Sequence, residues 1–357
     1  IDVNTQNSTQ LENTSENKAQ EQQIENFYNY ISNMKTKNEV LKDLDAKDYV
    51  KNFIKSGDGK ISFKKIMNLL VSYGFREVIA CIKLLVLLIV IALICALLTN
   101  LQRAFSSEGL SNISYCYSLI IIIMAKSFYI GVDVARSAIK EMSDFMTALI
   151  PVLVTLIASA GGFVEASIMD PVIIGAITIS TNLFTNIIIP VISMSFVLQF
   201  VNNLSSEYKI DKLTKLLNQC ALWAQGIIMT AFVGIMTVRG ITSKSIDEVT
   251  AKTAKFAVDN FVPVVGKSLS DAVATVAGYS FLLKNALSSL GLLIIIMILI
   301  FPIIKLIIMI VLYKLTAALI EPISDGRLVN CINSAGDSLV LFFIMIAMLA
   351  SAGKVMV

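Results

Sequence analysis

Apolar runs of 15 to 30 residues recur between Val78 and Ala352, and few folds admit runs of that length. A helix needs about 20 mostly apolar residues to cross the hydrocarbon core of a bilayer, whereas buried helices of soluble proteins rarely sustain so many. The runs are Val78–Asn100, Ile113–Ile130, Phe145–Gly162, Pro171–Phe200, Cys220–Val238, Phe261–Gly278, Leu287–Leu315 and Ser338–Ala352. Phe261–Gly278 is the weakest, since it holds Lys267 and Asp271. The pattern predicts an all-α, polytopic transmembrane bundle of seven or eight segments. Composition agrees: 15% of the 357 residues are charged, against about 25% in soluble domains.

The chain ahead of the first run divides in two. Residues 1–23 are rich in Asn, Gln, Glu, Ser and Thr, and too poor in apolar side chains to offset the entropy of ordering; a disordered polar tail is expected. Residues 24–77 are amphipathic, with Ile24, Phe27, Ile31 and Met34 at helical spacing, then Val40, Leu44, Tyr49 and Phe53 more loosely. Two or three short helices outside the bilayer or on its surface would fit. Residues 78–357 form the transmembrane domain. Its long link Arg239–Asn260 reads as an interfacial amphipathic helix, with Ile246, Val249, Thr253 and Phe256 on one side. The sequence starts at Ile1 and not at Met, and shows no charged-then-apolar leader, which fits a signal peptide removed ahead of this numbering.

Two halves of the membrane region follow a similar order, about 135–240 and 247–352. Pro151 and Pro263 are 112 residues apart, as are Pro190 and Pro302, and each first proline precedes a valine. Leu216-x-Asn218 matches Leu328-x-Asn330 at the same offset. Internal duplication, a common transporter layout, is one reading. Coincidence among six prolines is the other, since an offset of 151 also matches two pairs. Pro190 and Pro302 free backbone carbonyls inside apolar helices. They mark either broken helices lining a path or plain kinks.

Charges inside apolar runs are costly and tend to face a bundle interior or a wet cavity. Lys83, Lys126 and Lys314 lie near run ends and are read as snorkelling. Lys305, three residues after Pro302, is nearer mid-span and is the better candidate for a functional or oligomer-facing charge. Lys267 and Asp271, four apart, would neutralise each other on one helix face. Lys284 and Asn285 are further polar residues in the same region.

Catalytic and metal chemistry find little to stand on. Histidine is absent, which removes the commonest general base and metal ligand. Cys81, Cys95, Cys116, Cys220 and Cys331 show no CxxC pair and read as small buried hydrophobes. The stretch Ser56–Phe63 resembles the middle of a calcium loop. With Gly59 as its turn glycine, Ile54 and Lys65 would stand where acidic ligands are required, so a turn is expected instead. Gly57-Asp-Gly-Lys60 lacks phosphate-loop spacing. No cofactor, catalytic or metal site is expected. A net charge of +3 with no basic arm gives no reason to expect nucleic acid. Orientation is pulled both ways. Lys51, Lys55, Lys60, Lys64, Lys65 and Arg76 argue for a cytoplasmic N-terminal region by the positive-inside rule. A removed signal peptide argues the reverse. The basic link Lys209, Lys212 and Lys215 should be cytoplasmic on the same rule.

Several stretches carry a family resemblance: Lys252-Thr-Ala-Lys-Phe256, Asp259-Asn-Phe-Val-Pro-Val-Val-Gly-Lys-Ser-Leu-Ser-Asp-Ala272, Leu282-Leu-Lys-Asn-Ala286, Phe301-Pro-Ile-Ile-Lys305 and Tyr313-Lys-Leu315. Upstream, Phe145-Met-x-Ala-Leu-Ile-Pro-Val-Leu153 and Leu204-Ser-Ser-Glu-Tyr-Lys209 join them. Together they resemble the stage III sporulation protein AE family over roughly residues 60–357. The resemblance implies a polytopic protein of endospore formers, made in the mother cell and placed in the membrane around the forespore. There it would join other products of its operon, among them ring-forming subunits and an ATPase, and a forespore membrane partner in a trans-envelope complex. It implies no enzymatic activity and assigns no role to Pro263, Gly266, Lys267, Asp271 or the other signature positions. A stand-alone secondary transporter with two related halves is the alternative, and a homo-oligomer is compatible with either.

Overall fold

The computed structural model describes residues 18, 21–35, 45–56, 63–105, 110–160, 163–204, 210–261, 266–324 and 326–356. The expected polar tail lies almost wholly outside these residues, as do Pro263 and the glycine turn after Ser56. Every regular element described is helical. They are α1 (21–35), α2 (Ala46–Ser56), α3 (Phe63–Phe105), α4 (Leu110–Ser159), α5 (Phe163–Leu183), α6 (Ile189–Leu204), α7 (Asp211–Phe261), α8 (Gly266–Ile320) and α9 (Gly326–Met356).

Six helices among the described residues are long and apolar enough to cross a membrane, where the apolar runs suggested seven or eight. The difference has a physical cause. Ile113–Ile130 and Phe145–Gly162 were counted apart because charged residues separate them. Asp133, Arg136, Lys140, Glu141 and Asp144 are all exposed, while Ala135, Ala138, Ile139 and Met142 between them are buried. That is a helical stripe, and α4 continues unbroken through it. Likewise residues 266–278 of the weak run form the first turns of α8. At 50 and 55 residues, α4 and α8 are about 75 and 82 Å long, far more than the roughly 30 Å hydrocarbon core. If each helix crosses once, the residues before α3 and the link between α6 and α7 emerge on opposite faces. On that topology the two basic segments fall on opposite sides, and the positive-inside rule holds for one of them.

Proline is accommodated in two ways. Between α5 and α6, Phe184–Ile188 forms a π-turn in which the Ile189 N–H donates to the Phe184 carbonyl. The widened turn absorbs the ladder bond that Pro190 cannot make. Pro302 sits inside α8, which runs on through it. Neither proline ends the helical path.

Packing centres on α4, α8 and α9. Phe128 of α4 stacks on Phe196 of α6 at 3.6 Å and meets Phe342 of α9 at 5.6 Å. Glycine allows the closest approaches: a Cβ on Gly131 would collide with Leu339 of α9, and one on Gly291 would lie 2.8 Å from Leu149. The amphipathic N-terminal helices also join this body. Phe27 and Ile31 of α1 are buried, with Phe27 6.1 Å from the Phe145 ring. The Thr155 hydroxyl bonds Gln23, and the Tyr49 hydroxyl bonds Ser289 at 2.9 Å. Asp45 caps α2, its Oδ1 accepting from the amides of Lys47 and Asp48 at 3.0 and 3.2 Å. Burial pushes the Tyr28 hydroxyl up to about 12, with Tyr279 and Asp45 adding to it. Burial also raises Tyr30, helped by Asp144 and Glu141.

A candidate functional site at a half-buried ion pair

Glu77 is the only acidic residue between Asp58 and Glu108. It meets Lys305 across the α3–α8 seam, with Lys305 Nζ 2.7 Å from Glu77 Oε1 and side chains 29% and 14% exposed. One turn earlier, Tyr73 and Phe301 meet edge-on at 4.3 Å. Tyr73 to Phe301 and Glu77 to Lys305 keep one sequence offset, so α3 and α8 run parallel and in register here. Arg76 lies over the Tyr73 ring at 5.7 Å. Two charges drawn partly out of water repay their desolvation only when closely paired, and this pair fixes the register of the two helices.

Beside the pair is a cavity of about 180 Å³ between α3, α4 and α8. Its polar lining is Glu77, Lys305, Ser127, Tyr313 and Thr316, and the other walls are apolar. Thr316 is satisfied by the Leu312 carbonyl at 2.7 Å. Tyr313 is 2% exposed, and the Ser127 hydroxyl is the polar group beside its own.

A second polar seam joins α6, α7 and α9. The Ser195 hydroxyl donates to Asn218 Oδ1 at 2.7 Å, Ser338 approaches Gln199 Oε1 at 3.4 Å, and Gln225 Nε2 donates to the Leu341 carbonyl at 3.5 Å. Such bonds hold helices together where lipid supplies no hydrophobic drive. Lys314, read as snorkelling, is half-exposed and pairs with Asp337 of α9 at 2.7 Å.

The residues singled out from sequence do not converge. Lys305 and Pro302 share the α8 segment at the cavity. Lys284 and Asn285 lie half-buried about five turns earlier on the same helix, and Pro190 is exposed at the start of α6. Gly266, Lys267 and Asp271 are in the first turns of α8, with side chains outside the described residues, so the expected Lys267–Asp271 pairing cannot be placed. Sequence reasoning missed Glu77. The signal was an isolated acid bordering an apolar run, the natural mate for an isolated lysine in another. Among the described residues no three His, Cys, Asp or Glu side chains converge as a metal site.

Long apolar helices, ion pairs between them and polar interhelical bonds define a polytopic α-helical membrane protein. The family model for stage III sporulation protein AE matches residues 44–353. The chain is 37% identical over 297 residues to stage III sporulation protein AE of Bacillus subtilis (strain 168), covering 83% of this chain and 74% of that relative. The chain belongs to the stage III sporulation protein AE family. No solved structure matches it.

Proposed function

We propose that the chain is a membrane platform or conduit subunit of a trans-envelope complex joining mother cell and forespore, seated in the mother-cell-derived outer forespore membrane. The observation that carries this reading is the family match across residues 44–353, nearly the whole membrane body. It implies a sporulation role for an integral membrane protein. The architecture suits a platform: α4, α7 and α8, at 50, 51 and 55 residues, exceed the bilayer by tens of Å and offer surface to partners beyond it. In this reading the chain acts by assembly and not by catalysis, and it binds ring-forming subunits and an ATPase from its own operon together with a forespore membrane protein.

Affinity purification of the tagged full chain from sporulating cells in mild detergent tests it. Co-recovery of the operon partners is expected. Recovery of the chain alone, with those partners shown to be present and soluble, overturns it. A stand-alone transporter is the second reading, favoured by the Glu77–Lys305 cavity. It requires that the purified chain move a solute across vesicle membranes and that Lys305→Ala impair that movement.

A further inference from the structure

The charged stripe of α4 lies level with the middle of the neighbouring apolar runs. Gly131 faces Leu306 of α8 and Leu339 of α9, and Met142 faces Ile295 of α8 and Gly353 of α9. The segment between Gly131 and Met142 therefore runs beside residues 295–306 of α8, which bracket the midpoint of the run Leu287–Leu315. A small cavity at this depth brings Met142 together with Phe184 and with Met229 of α7. Phe184 is near the middle of the span Pro171–Asn202, and Met229 near the middle of the run Cys220–Val238. Asp133, Arg136, Lys140, Glu141 and Asp144 are thus exposed at the depth where the rest of the bundle is apolar.

Charges at that depth are too costly to face lipid. The stripe points away from this chain's own bundle, and among the described residues no ion pair joins any of the five. Helix α1 reaches α4 at Phe145 and Thr155 and leaves Glu141 and Asp144 exposed. The cover must come from outside the chain. The face has the spacing of a helix seam: Lys126, Ile130, Asp133, Ser137, Lys140 and Asp144 are all exposed and alternate four and three residues apart. Positions so spaced meet between parallel helices. Arg136 and Glu141 flank the seam five residues apart, the separation at which flanking charges of parallel helices cross-pair. Ser137, at the centre, is small enough to let two backbones approach closely.

We propose that this face of α4 packs against the same face of a second copy of the chain, with the two α4 helices parallel. Copies inserted the same way are related by a two-fold axis along the membrane normal, which sets identical residues at one depth. Arg136 of one copy then meets Glu141 of the other, and Lys140 meets Asp144, each pairing occurring twice. Asp133 stands three residues from Arg136 on its own helix and shares that charge. The charge balance selects a second copy. Counting Lys126, the face holds three basic and three acidic residues, so a partner of one sign would leave half of them unpaired. The pairing needs no other protein and stands apart from the platform reading.

The test is oxidative crosslinking of the full chain in membranes of sporulating cells, with its own cysteines replaced by alanine and a single new cysteine introduced. Two cysteines join only when their Cα atoms come within about 7 Å. Ser137→Cys and Ile130→Cys should each give a disulfide-linked adduct of twice the 39.0 kDa chain. Val197→Cys, at an exposed apolar position of α6, should not. Arg136→Glu in the Ser137→Cys chain should lower the adduct yield at least about tenfold, and adding Glu141→Arg should restore it by exchanging the two charges. These residues have no ion-pair partner within the chain, so its yield in detergent should hold throughout. Equal adduct from Val197→Cys overturns the proposal, as does an adduct indifferent to Arg136→Glu. A Ser137→Cys adduct with a different protein gives the face to that protein and overturns it. Labelling of Ser137→Cys by a membrane-impermeant maleimide with no adduct makes the face the wall of a wet passage and overturns it equally. Co-recovery of operon partners, which tests the platform reading, is unaffected by any of these results.

Discussion

Replacing Lys305 with methionine keeps the length and apolar stem of the side chain and removes only its charge. Glu77, 14% exposed, is then left with a carboxylate that has lost its counter-ion. Removing one partner of a fully buried pair costs about 3–5 kcal/mol. Lys305 is 29% exposed, so water reaches the site and the cost should fall toward about 2–3 kcal/mol. Glu77→Gln should cost a similar amount by stranding the ammonium. The double substitution leaves no charge to strand and should recover most of the loss. The expected coupling is therefore about 2 kcal/mol or more, read from unfolding of the detergent-solubilised chain across the four members of a double-mutant cycle. Additive single effects would refute the reasoning, because the two side chains would then not depend on each other.

Three further outcomes follow from packing and protonation. Gly131→Val should destabilise by about 1–3 kcal/mol, because Leu339 occupies the space of the new side chain; pairing it with Leu339→Ala should recover part of the loss in the same unfolding assay. Gln225→Leu should be neutral or stabilising in thermal unfolding, since Gln225 Oε1 is buried without a partner and its amide makes only a 3.5 Å bond. Tyr28 titrates near 12 when α1 is docked and near 10 when free. The docked helix therefore holds the proton more tightly, and docking is undiminished below pH 10 and weakens as pH rises from about 10 to about 12. A phenolate absorbance titration of the chain minus that of Tyr28→Phe should show the component near 12, and a component near 10 would contradict the docked position of α1.

Much of the fold was legible because membrane helices announce themselves by run length. The spacing of Phe27, Ile31 and Met34 marked the face that α1 buries. That this face seats on α4 could not be read, since an amphipathic stripe does not name its partner. The stripe from Asp133 to Asp144 misled through its charge. Its residues fall on one face with apolar residues behind them, which is helical periodicity and not a break. At the site, Lys305 was legible as an expensive charge, but Glu77 was read as the end of the charged N-terminal region. Its partner lies 228 residues away on another helix, a separation over which sequence carries no register. The polar seam around Ser195, Asn218 and Gln225 was illegible for a simpler reason: uncharged polar residues in apolar runs are common, and only the fold shows which of them meet.

The length of α8 has a mechanical consequence. The helix runs about 82 Å without a break, and near Lys305 it is pinned to α3 by a charge pair and a ring contact. A rod held at such a fulcrum converts small rotations into large excursions at its ends. Toward its N-terminus α8 is held again at Ser289 by Tyr49 and at Gly291 against Leu149, so the arm beyond those contacts, from Ser289 back to Gly266, is about 34 Å of helix, and a tilt of about 5° carries its far end roughly 3 Å. Whatever grips that end can work the bilayer-level seam as a lever works its pivot, without any helix having to unwind.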